Sequence, residues 1–229
     1  TNIIPVMAQT MIDNNYEILP VMQLLLKSQH FYDIAFQGAL IRNPLELVFG
    51  MFNPCDSVPN FDLVSNSDLY VSIYDFCQNM GQSYGAPPSV AGWLAYYQAP
   101  AFSKLWVNST TIKNRFDLAN YITVYTGIPI NGFNFKVNAL QLVDGLSFPD
   151  NAVAVIDDLC TVFFPKSLSV AQKTLLKLIL TGGLPEFEWT IDYNAYAADP
   201  TNIVVSTPVR TKVEQVLARI FQMPEFQTI

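Results

Sequence analysis

A chain of 229 residues, 51% of them apolar and only 14% charged, can bury a sizeable core, and its 13% aromatic content argues against a disordered segment. A formal net charge of −7, with Lys and Arg scattered singly, leaves no basic stripe for a nucleic-acid backbone and none for an anionic membrane surface. No stretch approaches about 18 uninterrupted apolar residues, so no bilayer span is expected.

The length fits one domain over residues 1–229. The chain opens on Thr1-Asn2-Ile3-Ile4-Pro5, with neither Met nor a basic leader, and reads as a fragment of a longer protein. Tyr16 to Lys27 sets Ile18, Leu19, Met22, Leu25 and Leu26 on one helical face, with Pro20 tolerable only in the first turn. Asn43-Pro44-Leu45-Glu46 is a helix start. Asn43 accepts from orphan amides, Pro44 suits the first helical position, and Glu46 reaches back as in a capping box. Leu45, Val48, Phe49 and Phe52 follow as its buried face. Ser67 or Asn66 is expected to cap a helix to about Met80 that buries Leu69, Ile73, Phe76, Cys77 and Met80 and stops at Gly81. Asn108 precedes a helix through Ile112, Phe116, Ala119, Tyr121 and Ile122, which ends before Gly127.

Strand signals are weak. Phe133 to Val137 and Ile203 to Val205 are expected to form at most a small pair. Pro149 to Phe163 reads as helix through Val153, Ile156, Leu159, Cys160 and Phe163. Ser169 with Gln172 is a second capping box. It opens Val170 to Thr181, which is apolar nearly all round, is therefore expected at the centre, and closes at Gly182-Gly183. Asp192 to Ala198 reads as a short helix. Thr207-Pro208 reads as the start of the last one, with Val209, Val213, Val216, Leu217 and Ile220 buried. The expected fold is all-α: an irregular bundle of seven or eight helices, with long aromatic and Pro-rich loops around Pro54–Phe61, Pro87–Pro100 and Ile128–Asn134. The helix ends at Leu26–Phe31 and Phe221–Phe226 echo one another, each closing on a polar turn and a Phe.

Few residues carry recognisable chemistry. Cys55, Cys77 and Cys160 are an odd set without metal-ligand spacing; Cys77 and Cys160 read as buried thiols, with a Cys55–Cys77 bridge as an open alternative. His30 is the single histidine, without the nucleophile motif a Ser-His-Asp or Cys-His site needs, and reads as a structural residue at a helix end. Asp157 with Asp158, Glu186 with Glu188, and Asp192 are the candidates for acid–base work, with solvated surface charge as the plainer reading. Asp144 and Asp150 with loop carbonyls are a weak calcium candidate, no EF-hand spacing being present. There is no glycine-rich phosphate loop, and no cofactor is implied.

The most distinctive segment is Ala86-Pro87-Pro88-Ser89-Val90-Ala91-Gly92-Trp93, then Tyr96-Tyr97-Gln98 and Leu105-Trp106-Val107-Asn108-Ser109-Thr110. Two prolines stiffen its entry, and Gly92 permits a bend or close backbone approach. Trp93 and Trp106 are amphipathic rings with one donor each. Asn108 caps a helix whose first amides favour an acceptor or anion. Arg115, two turns along the same face, either orders loop carbonyls or pairs with an acid.

Pro-Pro-Ser-Val-Ala-Gly-Trp, then Trp-Val-Asn-Ser-Thr-Thr and Arg115, resembles the signature of the bacterial domain-of-unknown-function 1800 (DUF1800) family. His30-Phe31-Tyr32-Asp33 through Ile41-Arg42-Asn43-Pro44-Leu45-Glu46 is similar to the block preceding it, and Met223-Pro224-Glu225-Phe226-Gln227 to the family's C-terminal ending. The resemblance covers Tyr16 to Gln227 and implies a bacterial, often exported protein, periplasmic or at the cell surface, of which this chain is the C-terminal half. It implies no established activity. The expected function is a non-catalytic binding domain whose partner is a surface polymer such as a glycan, or another exported protein. The candidate ligand-binding residues are Trp93, Tyr96, Tyr97, Trp106, Asn108 and Arg115. The alternative is part of a hydrolase whose carboxylate site is completed by the parent protein's N-terminal region.

Overall fold

Ten α-helices and one two-stranded hairpin make up the regular structure of the described residues, so the chain is mainly helical. The computed structural model describes residues 3–55, 63–93 and 105–229. Two compact units contain them, Thr1–Ala39 and Leu40–Ile229.

In the first unit, α1 (Ile3–Asp13) and α2 (Ile18–Leu26) form a helical hairpin. Its turn places Asn15 and Tyr16 in the left-handed region, at φ 53° and 65°. Pro20 is the third residue of α2, within the first turn as required. The stripe expected to be buried is largely exposed: Ile18, Leu19, Met22 and Leu26 all face solvent, and Val21 is the buried residue of α2. A pair of helices shields a single seam, lined here by Val6, Met7, Leu24 and Leu25, so an apolar stripe can outrun its cover.

The second unit opens with α3 (Pro44–Phe52), capped by the expected Asn43–Glu46 box, which buries Leu47 and Met51 beside Val48 and Phe52. α4 (Leu63–Asn79) begins before Asn66 and Ser67, which lie inside it; Leu69, Ile73, Cys77 and Met80 are buried as expected, and Gly81 follows at φ +95°. α5 (Ser109–Ile122) starts at Asn108. The hairpin pairs β1 (Ile128–Ile130) with β2 (Phe133–Phe135) around Asn131-Gly132, both at positive φ. That two-residue Asn-Gly turn matches strand twist, and it overturns the expected pairing with Ile203–Val205.

α6 (Ala139–Asp144) and α7 (Ala152–Phe163) follow. α7 is capped by Asn151 rather than opened at Pro149, and its Val153 is exposed. α8 (Val170–Thr181) has the expected Ser169–Gln172 box and Gly182 stop. It is not central, because Val170, Leu175 and Leu178 face solvent. α9 (Glu186–Ala198) is longer than the Asp192–Ala198 expected.

The central stave is α10 (Ile203–Gln222), which packs against α5, α6, α8 and α9. Asn202 caps it by accepting from the Val204 amide at 3.0 Å, so Pro208 lies inside the helix instead of opening it, and Ile203–Val205 is its first turn. Val209, Val213, Val216, Leu217 and Ile220 are fully buried, as their spacing predicts. Phe221 and Phe226 are buried as well, whereas Phe31 at the echoing helix end is half exposed.

Cys55, Cys77 and Cys160 are all buried, with no bridge between Cys55 and Cys77. Burial pushes the Cys77 and Cys160 thiols up to about 11. No helix among the described residues is long and apolar enough to cross a membrane.

The Asn108 cap lends itself to a direct measurement. Its side-chain oxygen accepts from both the Thr110 and Thr111 amides at 2.9 Å. Asn108→Ala should cost about 1 kcal/mol, seen as a lower urea midpoint at unchanged slope. An unmoved midpoint would reject the capping role.

Candidate functional site

The aromatic segment meets the helix framework at the start of α5. The Asn108 amide donates to Thr111 Oγ1 at 2.9 Å, completing a reciprocal box, and Thr111 Oγ1 donates to the Trp106 carbonyl at 3.1 Å. The Asn108 side chain already serves the second and third amides of the helix, so they are not offered to an anion. Trp106 is 3% exposed, and the Trp93 ring leans on it at 5.3 Å between centroids, tilted by 50°. Trp93 itself is half-buried.

A tight turn delivers Trp93 to that position. The Gly92 amide donates to the Ser89 carbonyl at 2.9 Å, and Ser89 Oγ donates to the Gly92 carbonyl at 3.0 Å. Gly92 has φ +91°, yet a Cβ there would meet nothing within 4 Å. Of the two roles offered for this glycine, the bend is the one in use. Tyr96 and Tyr97 lie outside the described residues.

Arg115 is wholly buried, and among the described residues it orders one loop carbonyl and one side chain. One end of its guanidinium donates to the Arg42 carbonyl at 2.8 Å, the other to Gln227 Oε1 at 3.2 Å. Gln227 in turn donates to the Phe221 carbonyl at 2.7 Å. Around this fork the two ends of the second unit come together. The Arg42 amide donates to the Gln227 carbonyl at 2.8 Å, the Ile229 amide to the Leu40 carbonyl at 2.9 Å, and Ile41 pairs with Thr228 across an antiparallel bridge. The Arg42 guanidinium lies 4.5 Å above the Phe226 ring. Gly50 makes room for it, since a Cβ there would collide with Arg42 Nη1. Burial lowers the Arg42 pKa, and the nearby Glu46 charge opposes that. Sequence reading missed Arg42, Gly50 and Gln227. The available signal was the scarcity of arginine, with four in the chain.

The carboxylates are dispersed and mostly engaged. Asp157 pairs with Lys173 at 2.7 Å, Glu186 with Lys177 at 2.5 Å and Asp192 with Lys212 at 2.5 Å, while Asp158 accepts from the Ser147 amide. Asp144 accepts from the Tyr193 and Tyr196 hydroxyls at 2.9 and 2.7 Å, and burial with those bonds pushes Tyr196 up to about 12 and Tyr193 upward too. Trp189, next to Glu188, is fully buried and donates to the Pro149 carbonyl at 2.9 Å. No three His, Cys, Asp or Glu side chains converge on a metal position among the described residues. His30 packs edge-on against Phe36 at 5.0 Å.

Exposed rings occur elsewhere on the α4–α5 face. Tyr121 and Tyr125 stand edge to face at 5.7 Å and are 42% and 53% exposed, with Phe76 at 6.3 Å from Tyr121.

Among known proteins, the profile of DUF1800, described as a protein of unknown function, matches residues 1–228. No curated protein and no solved structure matches the chain.

Two substitutions separate the roles in this region. Arg115→Leu strands one buried and one partly buried acceptor and should cost roughly 2–4 kcal/mol by urea titration. Arg115→Lys should recover little of that, because an ammonium lacks the fork. A loss below about 0.5 kcal/mol would show that the buried network does not need the guanidinium. Gly92→Val forces a β-branched residue to positive φ at roughly 1–2 kcal/mol, with no steric clash, and should weaken the near-ultraviolet circular dichroism of the Trp93–Trp106 pair. An unaltered signal would discard the turn.

Proposed function

The chain belongs to DUF1800, a family of unknown function, and we propose that it is a non-catalytic binding domain of an exported bacterial protein that holds a surface glycan against exposed aromatic rings. The observation that carries this reading is the Tyr121–Tyr125 pair, two large exposed rings set edge to face, with Phe76 beside Tyr121. Tyr offers broad contact area with few rotatable bonds, so its apolar face covers a sugar ring at low entropic cost, and its hydroxyl bonds the rim. Trp93, half-buried on Trp106, adds a further ring edge at the other end of α5.

A hydrolase built on paired carboxylates has less support. Asp157, Glu186 and Asp192 each face a lysine across a helix seam, an arrangement that fixes helices and ties each of these acids to a cation.

Affinity electrophoresis in gels containing soluble cell-surface polysaccharides tests the proposal. A retarded band is expected, with the dissociation constant rising about tenfold per ring in Tyr121→Ala and Tyr125→Ala and less in Trp93→Ala. Release of reducing sugar, or retardation indifferent to all three substitutions, would overturn it.

A further inference from the structure

The groove between α7 and α8 holds two adjoining hollows that the aromatic region does not use. Lys173 stands between them, tied to Asp157 at 2.7 Å. On the side of the connecting loop, a hollow of about 260 Å³ is lined by Thr161, Lys166, Ser167 and Lys173 over the Phe164 ring. On the other side, one of about 180 Å³ is lined by Val153, Ile156 and Val170 together with Asp157, Lys173, Thr174 and Lys177. Three lysines and one acid, Asp157, make the lining +2 in a chain whose net charge is −7. Lys177 is matched by Glu186 at 2.5 Å, whereas Lys166 makes no ion pair with any described residue.

We propose that this groove binds a small amphiphilic oxyanion, a carboxylate or phosphate head on a short unbranched tail. The head occupies the loop-side hollow, between the Lys166 ammonium and the Ser167 hydroxyl. The tail lies along Val153, Ile156 and Val170. Val153 and Val170 are 42% and 82% exposed, so a tail covers apolar surface that the fold leaves in water. A local cationic lining in an acidic molecule concentrates small anions where the rest of the surface repels them. Asp157 competes with the ligand for Lys173, so the ion pair is a latch: an arriving head draws Lys173 away from it.

Nuclear magnetic resonance titration of the isotope-labelled chain with hexanoate, hexyl phosphate, acetate, inorganic phosphate and hexanol tests the proposal. Hexanoate or hexyl phosphate should give saturable shifts at Lys166, Ser167 and Lys173 and at the Val153 and Ile156 methyls, and the tighter of the two identifies the head. Acetate, inorganic phosphate and hexanol should each bind more weakly. Lys166→Met should weaken the tighter probe about threefold. Asp157→Asn, which frees Lys173, should tighten it; an Asp157 that only braces two helices would lower the melting temperature and leave affinity alone. Both side chains reach solvent, so these variants should keep the fold, which far-ultraviolet circular dichroism verifies. Absence of saturable shifts with both tailed probes, equal affinity for hexanol, or an Lys166→Met variant that binds unchanged would overturn the groove as an anion site.

Discussion

A buried guanidinium holds the second unit together. Arg115 sits in α5 with no exposed surface, and its two donating ends reach the Arg42 carbonyl ahead of α3 and the Gln227 side chain after α10. An arginine withdrawn from water is costly unless hydrogen bonds replace its hydration, and here two of those bonds go to segments that also meet through the Ile41–Thr228 bridge and the Arg42–Phe226 contact. The fork therefore sets where the last residues lie. Phe226 then seats fully in the core beneath the Arg42 guanidinium, whose Nη1 occupies the space a Cβ at position 50 would take. One buried charge thus orders a second, partly buried one through the segments between them.

Helix starts were legible where the determinant is local. Asn43, Asn108 and Ser169 occupy their expected caps because an acceptor and the amides it serves lie within three residues of each other. The structure departs from the expected elements where two local signals compete or where the determinant is remote. Asn131-Gly132 is a two-residue hairpin signal, and it pairs Phe133–Phe135 with Ile128–Ile130. Pro208 reads as a helix start until Asn202 is recognised as the earlier cap. The centre of the bundle is a remote property. α8 is more apolar around its circumference, yet α10 is the buried stave, because its length and its connections place four helices against it. Likewise the spacing in α2 locates an apolar stripe and says nothing of what covers it.

The candidate site shows the same division. The segment most recognisable as belonging to DUF1800 was also the strongest binding candidate. In the structure, however, its described residues are mostly occupied with holding the chain: Ser89 and Gly92 make the turn, Trp106 fills the core under Trp93, Asn108 and Thr111 close the cap, and Arg115 forms the fork. Distinctive residue types at fixed spacing are what a demanding backbone geometry requires, so a motif can identify a fold without identifying a ligand. The exposed Tyr121–Tyr125 pair had no such signature. Tyr121 was legible only as one more ring on a helix face, and whether a ring faces inward or outward depends on the neighbouring helix.

Charge economy explains why the surface chemistry is sparse. Twelve Lys and Arg face nineteen Asp and Glu. Lys113, Lys136, Lys173, Lys177 and Lys212 are each matched to an acid, and the Lys136–Glu214 pair, at 2.7 Å, is largely buried. Arg115 donates to a carbonyl and an amide side chain. With so many cations engaged, the excess of acids sets the long-range field, and an unmatched lysine stands out against it more than it would on a balanced surface. Lys166 is in that position beside a hollow with a hydroxyl at its wall and an apolar neighbour past Lys173. Scarcity of positive charge, first met as a reason to set nucleic acid aside, is also what gives that one lysine its local effect.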